Sequence, residues 1–327
     1  MATLLVPVTV QRADAATRAR AGDADVLLGE RASHPMSALI GVPNAAPRAE
    51  GAPLRLVLNL GNAFMGGSTA DEALLLDGET WRLTARWQLT LGACWSLGIE
   101  AGAIVHGGGT FDAGIESWHE TFGLPDAGRA GVPRDALRFS YLRGDATGPA
   151  TLDAAASGLA DTQLWVQRAA GCTRLEPDRR TLLRVGLKLP TGRLRDWTGS
   201  GAVDGWVDVQ SPVYKPLASV RIAASIGLLA PEAVDELGTV EPLAGFGAIG
   251  IRYAADPRLA LHATVDWHTA LFDSELVELG AVAASLATGL SFAPGPRSRF
   301  DVQILEDILI DTASDIVLRV ALTVHER

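Results

Sequence analysis

Hydrophobic and polar positions alternate along most of this chain. Over 81–91 the odd positions are Trp81, Leu83, Ala85, Trp87, Leu89 and Leu91, and the even ones are Arg82, Thr84, Arg86, Gln88 and Thr90. A period of two means a β-strand with one oily and one polar face. After Gly92-Ala93 the pattern resumes, with Trp95, Leu97, Ile99, Ala101, Ala103 and Val105 set against Ser96, Gly98, Glu100, Gly102 and His106. The short gap makes the two runs a hairpin. Each run is longer than an ordinary globular strand of about 5–6 residues. Each fits the roughly 9–11 tilted residues with which β-structure crosses a bilayer. The polar face carries Arg82, Arg86 and Glu100 in mid-strand. A soluble sandwich would turn the oily face inward; a membrane barrel turns it to lipid and points charge into a wet lumen.

Similar alternation returns over 54–63, 159–168, 182–190, 203–210, 220–228, 243–253, 259–268, 281–292, 299–304 and 316–324. The connections sort by length. Short ones fall near Gly92, Arg174, Pro212, Asp256 and Gly295. Longer, mostly acidic ones fall near Ala70, Ile115, Ser200, Asp235, Ser274 and Asp311. Residues 64–78 read as a Gly/Ser/Asp loop, and the brief alternation over 136–143 as one arm of a loop hairpin. Both chain ends then lie on the short-turn side, the plan of an outer-membrane barrel. The expected fold is all-β: a single antiparallel up-and-down transmembrane β-barrel of about 12 strands over 54–327, with one short helix in a long outer loop. That helix is expected where Ile115, Trp118, His119 and Phe122 share a face, ended by Gly123 and Pro125, and it would act as a lid over the mouth. Residues 1–53 have little period and read as a loose N-terminal segment. Its apolar, proline-bounded piece 35–43 either tucks into a cavity or is plain linker.

Composition narrows the classes. No run approaches the roughly 18 apolar residues of a membrane helix, which excludes a helical span but not a barrel. A net charge of −10 argues against nucleic acid, which needs a basic face. Cys94 and Cys172 lack metal spacing; they read as two unpaired thiols, with a disulfide as the alternative. Residues 1–50 show no basic start followed by an apolar core of about 7–15 residues. That counts against the membrane reading, unless Met1-Ala2 is an added start on a mature sequence.

The candidate chemistry lies on the face opposite the oily one. It carries Arg82, Arg86, Glu100, Arg184, Lys188, Asp204, Asp208, Arg221, Arg252, Asp266, Asp301 and Arg319. These residues line either a pore that selects solutes by charge or a narrow lumen filled by ion pairs across strands. For twelve strands a mostly filled lumen is expected. His262, Asp266 and His268 share a face, but neighbours spread along a strand at about 3.3 Å per residue are poorly gathered for one ion. Ser117 and His119 sit near Glu116 without a Gly-x-Ser-x-Gly turn. No catalytic residue, metal site or cofactor is expected.

Several pieces look familiar together. Ile115-Glu-Ser-Trp-His-Glu-Thr-Phe-Gly-Leu-Pro-Asp-Ala-Gly-Arg129 is the most specific. Ser157-Gly-Leu-Ala-Asp161, Lys188-Leu-Pro-Thr-Gly192 with Gly199-Ser-Gly-Ala-Val-Asp204, and Glu306-Asp-Ile308 with Asp311-Thr-Ala313 and Asp315 agree with it. From about His34 onward the chain resembles the Gram-negative outer-membrane barrel family known as domain of unknown function 3187. The final Val324-His-Glu-Arg327 departs from the aromatic end that such barrels usually present. The resemblance implies fold and an outer-membrane location, and brings no substrate or activity. The expected function is a passive or gated pore for small solutes, or a structural envelope protein. The alternatives are an outer-membrane enzyme acting on lipid and a soluble β-sandwich or ligand-binding protein. The expected partners are the lipid bilayer with its lipopolysaccharide and a small-molecule solute, for a monomer that binds no nucleic acid.

Overall fold

A computed structural model describes residues 25–31, 33–45, 48, 54–109, 113–114, 117, 121, 123, 133–295, 297–309, 312, 314 and 316–324. The strands in chain order are β1 (Leu54–Ser68), β2 (Glu72–Leu91), β3 (Trp95–Gly107), β4 (Arg138–Arg143), β5 (Ala150–Leu152), β6 (Ala156–Leu159), β7 (Thr162–Ala169), β8 (Leu182–Leu189), β9 (Asp204–Gln210), β10 (Tyr214–Leu217), β11 (Val220–Ala230), β12 (Ala244–Ala254), β13 (Leu259–His268), β14 (Ala283–Gly295), β15 (Ser298–Asp307) and β16 (Ile316–Val324). Twelve of them form a closed antiparallel ring: β1, β2, β3, β7, β8, β9, β11 to β16, and back from β16 to β1. β4 and β5 extend the sheet beside the far end of β2, β6 pairs with β3 ahead of β7, and β10 folds beside β11.

The side-chain alternation sets which face goes where. Trp87, Leu187 and Leu318 are 39%, 49% and 44% exposed, whereas Arg86, Lys188 and Arg319 are 6%, 0% and 2% exposed. Grease faces outward and charge faces inward, the reverse of a soluble sandwich. At the short-turn end the outer face carries Trp95, Tyr253, Phe292 and Phe300, all exposed; Arg168 lies 5.5 Å over the Trp95 ring. Such aromatics suit a membrane–water boundary. No helix among the described residues is long and apolar enough to cross a membrane.

Two expectations need correction. Residues 64–78 are not a loop: β1 runs to Ser68 and β2 starts at Glu72, paired throughout as far as Ser68 with Ala73. Phe64, Met65, Leu74, Leu75 and Leu76 keep the strand pattern going through the glycines, so the hairpin projects beyond the ring. The cysteines are not free thiols either. Cys94 and Cys172 form a disulfide with Cα atoms 5.1 Å apart. They lie 78 residues apart in sequence, but their turns are neighbours because β3 pairs with β7.

Residues 25–31 and 33–45 lie within the ring. They climb from the short-turn end, make the short helix α1 (Pro35–Ile40) and descend again. His34 caps α1 by accepting from the Met36 backbone N–H at 3.2 Å through Nδ1, Pro35 occupies the first turn, and Gly41 ends it in the left-handed region at φ 73°, the usual C-terminal solution. At the long-loop end a second short helix, α2 (Val277–Gly280), packs with Phe139, Tyr141, Leu237, Val240, Phe272 and Leu276 onto Met36, Leu39 and Ile40. This apolar roof covers the top of α1. Tyr141 donates to Glu72 at 2.6 Å; burial and that carboxylate push its hydroxyl above the ordinary value.

Candidate functional site in the plugged lumen

The wall is built from ion pairs in strand register. Arg86 stands opposite Glu100 on β3, and Arg184 and Lys188 stand opposite Asp208 and Asp204 on β9. Direct cross-strand partners are close enough to bond without stretching either backbone. Arg86 Nε donates to Glu100 at 2.7 Å and Arg184 Nε to Asp208 at 2.8 Å; Lys188 pairs with Asp204. Arg319 donates to Gln303 at 2.7 Å. Asp301 draws in Arg55 at 3.4 Å and Arg299 at 3.2 Å and accepts from Ser291.

Aromatic rings support the arginines. Trp165 lies over Gly98 and Trp206 over Gly186: a Cβ at either glycine would fall 1.9 Å or 2.2 Å from the indole. Arg184 sits 4.8 Å from the Trp206 ring centre and 6.0 Å from that of Trp165. Cation–π attraction in a dry site adds to the ion pair.

The segment 25–45 is bound to this wall along its length. On the ascending side Asp25 lies 3.8 Å from Arg55 and 3.7 Å from Arg299, and its carbonyl accepts from Arg252 at 3.1 Å. Glu30 accepts from Asn59 of β1 at 3.0 Å and from Asn44 at 2.7 Å. Arg31 reaches Asp266 at 3.2 Å and Ser225 at 2.6 Å. Ser314 donates to the Ser33 carbonyl at 2.9 Å. On the descending side the backbone carbonyls are the acceptors. Leu39 takes Lys188, Gly41 takes Gln163, Asn44 takes Arg184 and Ala45 takes Arg86, all at 2.9 Å. Arg86, Arg184 and Lys188 therefore serve two partners each, a wall carboxylate and the plug. Beside the plug, the clefts lined by Arg31, His34 and Asp266, and by Asn59, Arg82 and His106, each have room for about one water.

Three of the familiar sequence pieces meet at one point. Lys188 donates to Ser200 at 2.6 Å and lies 3.4 Å from Asp161. Asp161 in turn accepts from the backbone of Gly192 at 2.8 Å and Ser200 at 3.1 Å. The loops 157–161, 188–192 and 199–204 thus tie one lysine, and that lysine holds the top of the plug through Leu39.

Eleven of the twelve charged positions expected on the inner face are buried there: Arg82, Arg86, Glu100, Arg184, Lys188, Asp204, Asp208, Arg252, Asp266, Asp301 and Arg319. Arg221 has the same strand parity but is only half-buried, at the short-turn rim. His262, Asp266 and His268 do not converge. Gln303 lies 3.4 Å from His262, Arg31 holds Asp266, and His268 bonds the Thr269 carbonyl at 2.8 Å; no group of metal-ligating side chains occurs among the described residues. Ile115, Trp118, His119 and Phe122, the expected lid, lie outside the described residues; Ser117 and Thr121 between them are helical. Sequence reasoning missed Arg55 and Asn59 on the wall, although each alternates with exposed leucine, and left Arg299 out of the lining although it shares the polar face of its strand with Asp301. It also missed Asp25, Glu30, Arg31 and Asn44, which sit in a segment without period.

A closed ring with a lipid-ready outer belt and a charged interior is a membrane-spanning β-barrel of the outer-membrane type. The chain belongs to the family described as Protein of unknown function (DUF3187), whose profile matches residues 45–325. In fold it is similar to a COG4313 outer membrane channel from Pseudomonas putida F1, with a TM-score of 0.54 and 11% identity over 84% of this chain and 96% of that one. A toluene transporter, TbuX from Ralstonia pickettii, shows a TM-score of 0.43 and 11% identity over 94% of this chain and 96% of that one. No curated protein is significantly similar in sequence.

Proposed function

We propose that this protein is a gated pore for small solutes in the bacterial outer membrane, closed by its own residues 25–45. The observation that carries the reading is how the plug is held. Its partners are mostly wall side chains that bond equally well to water, and a hydrogen bond exchanged for one to water changes the free energy by only about 0.5–1.5 kcal/mol. The wall stays charged and wettable once the plug leaves. The solved channels of like fold support the same class of function. The short turns face the periplasm in this reading, as in outer-membrane barrels, and the Cys94–Cys172 disulfide at that end suits that oxidising compartment. Lipopolysaccharide then surrounds the long-loop end of a single barrel. We assign no catalytic role to any residue. The second reading, a purely structural envelope protein, draws on the packed lumen and its apolar roof.

Planar-bilayer recording of the full chain separates the two. A gated pore gives intermittent openings to a fixed conductance level. Openings become more frequent in Gly29→Val, because a Cβ at Gly29 would fall 1.3 Å from the Asp266 carboxylate that anchors Arg31. A full chain and a variant that both insert and both stay silent support the structural role instead.

A further inference from the structure

The plug brings two carboxylates into the lumen, Asp25 between two arginines and Glu30 against two amides. Asp25 sits between Arg55 and Arg299, at 3.8 and 3.7 Å. Higher up, Glu30 takes two amide donors, Asn59 from the wall and Asn44 from the plug, in the electrostatic field of Arg82, Arg319 and Arg86. These arginines are not matched one to one by the wall. Arg86 has Glu100, but Arg82 and Arg319 make no ion pair within 4 Å of a wall carboxylate among the described residues. Both are more than nine-tenths buried. Among the described residues Arg82 has no acceptor for its Nε and one terminal nitrogen, and Arg319 has none for its Nε. Arg82 also lines the cleft beside α1. Buried guanidinium donors without acceptors are costly, and planar guanidinium groups suit carboxylates.

We propose that the sites occupied by Asp25 and Glu30 are the solute stations of the pore, and that the solute is a small organic anion bearing a carboxylate. The plug closes the barrel by placing its own carboxylates where the solute's would sit. Asn59, Arg82 and Arg319 form the upper station, and Arg55 and Arg299 the lower. When the plug withdraws, its two carboxylates leave, and the arginines face the water path. Cationic side chains around a narrow passage favour anions. This inference rests on the gated-pore reading above.

The test uses the full chain in planar bilayers under a potassium chloride gradient, as wild type and as Gly29→Val. The expected reversal potential has the sign of chloride selectivity. Succinate added to one side lowers the chloride current by competing for the stations. Arg82→Gln with Arg319→Gln, in the Gly29→Val background, lowers the chloride-to-potassium permeability ratio on the order of tenfold, the low end of what a charged cleft does to local ion concentration. Openings with no anion preference, or a ratio unmoved by the arginine substitutions, overturn the anion assignment and leave the pore intact. Inserted protein that never conducts, in either form, overturns the pore reading and this inference with it.

Discussion

Lys188 shows most plainly what single residues do here. It is fully buried and has four partners: Asp204, Asp161, Ser200 and the Leu39 carbonyl. Lys188→Met leaves two carboxylates with no cation beside them. Removing one member of a buried pair costs about 3–5 kcal/mol, so the urea midpoint of folded barrel should fall sharply. Lys188→Met with Asp204→Asn should recover part of that loss, which a double-mutant cycle measures. Gly186 gives a second test. A valine there meets the Trp206 indole and the Leu164 carbonyl at 2.8 Å, and overpacking of this kind typically costs about 1–3 kcal/mol. Most wall residues were legible in the sequence, because strict alternation places Arg86, Arg184 and Arg319 opposite tryptophan, valine and leucine neighbours. Their second partners were not, because the carbonyls of Leu39, Asn44 and Ala45 carry no side-chain signal.

Among the elements, strands were easier to read than the segments between them. The twelve staves repeat one pattern, and the environment on each side of the wall enforces it. The projecting part of the β1–β2 hairpin was misread because glycines at 66, 67 and 78 look like loop residues, yet ladder pairing continues through all of them. The plug escaped for a different reason. A segment enclosed by the barrel is in contact on all sides, so it needs neither amphipathic period nor regular structure. The disulfide was misjudged because spacing along the chain says nothing of spacing between turns. Its removal is testable: Cys94→Ser with Cys172→Ser should lower resistance to unfolding by about 2–5 kcal/mol, read as a lower urea midpoint. The same variant should keep its cross-strand ladder from β3 to β7, and hence its circular dichroism spectrum.

For the molecule as a whole, the exposed belt is the feature that fixes the solvent. Leu83, Val185, Leu187, Ile226, Ile249 and Leu318 are all more than two-fifths exposed, which no water-soluble surface of this size would tolerate. Leu187→Arg should therefore destabilise the barrel in lipid by about 2–4 kcal/mol, the cost found for arginine near a bilayer midplane. The measurement is the folding equilibrium in vesicles. The same change at Leu175, in the turn before β8, should cost little, since that residue already lies beyond the belt.

The path of residues 25–45 has a topological consequence. At the short-turn end the Arg48 backbone N–H donates to the Asp25 carboxylate at 2.7 Å, and the Arg48 side chain donates to the Arg180 carbonyl of the β7–β8 turn at 2.9 Å. Entry and exit share one doorway, so the segment is a bight pushed into the tube and not a rope passed through it. In the proposed gated pore, with its short turns toward the periplasm, the pull that clears the passage is applied from the cell's side of the membrane.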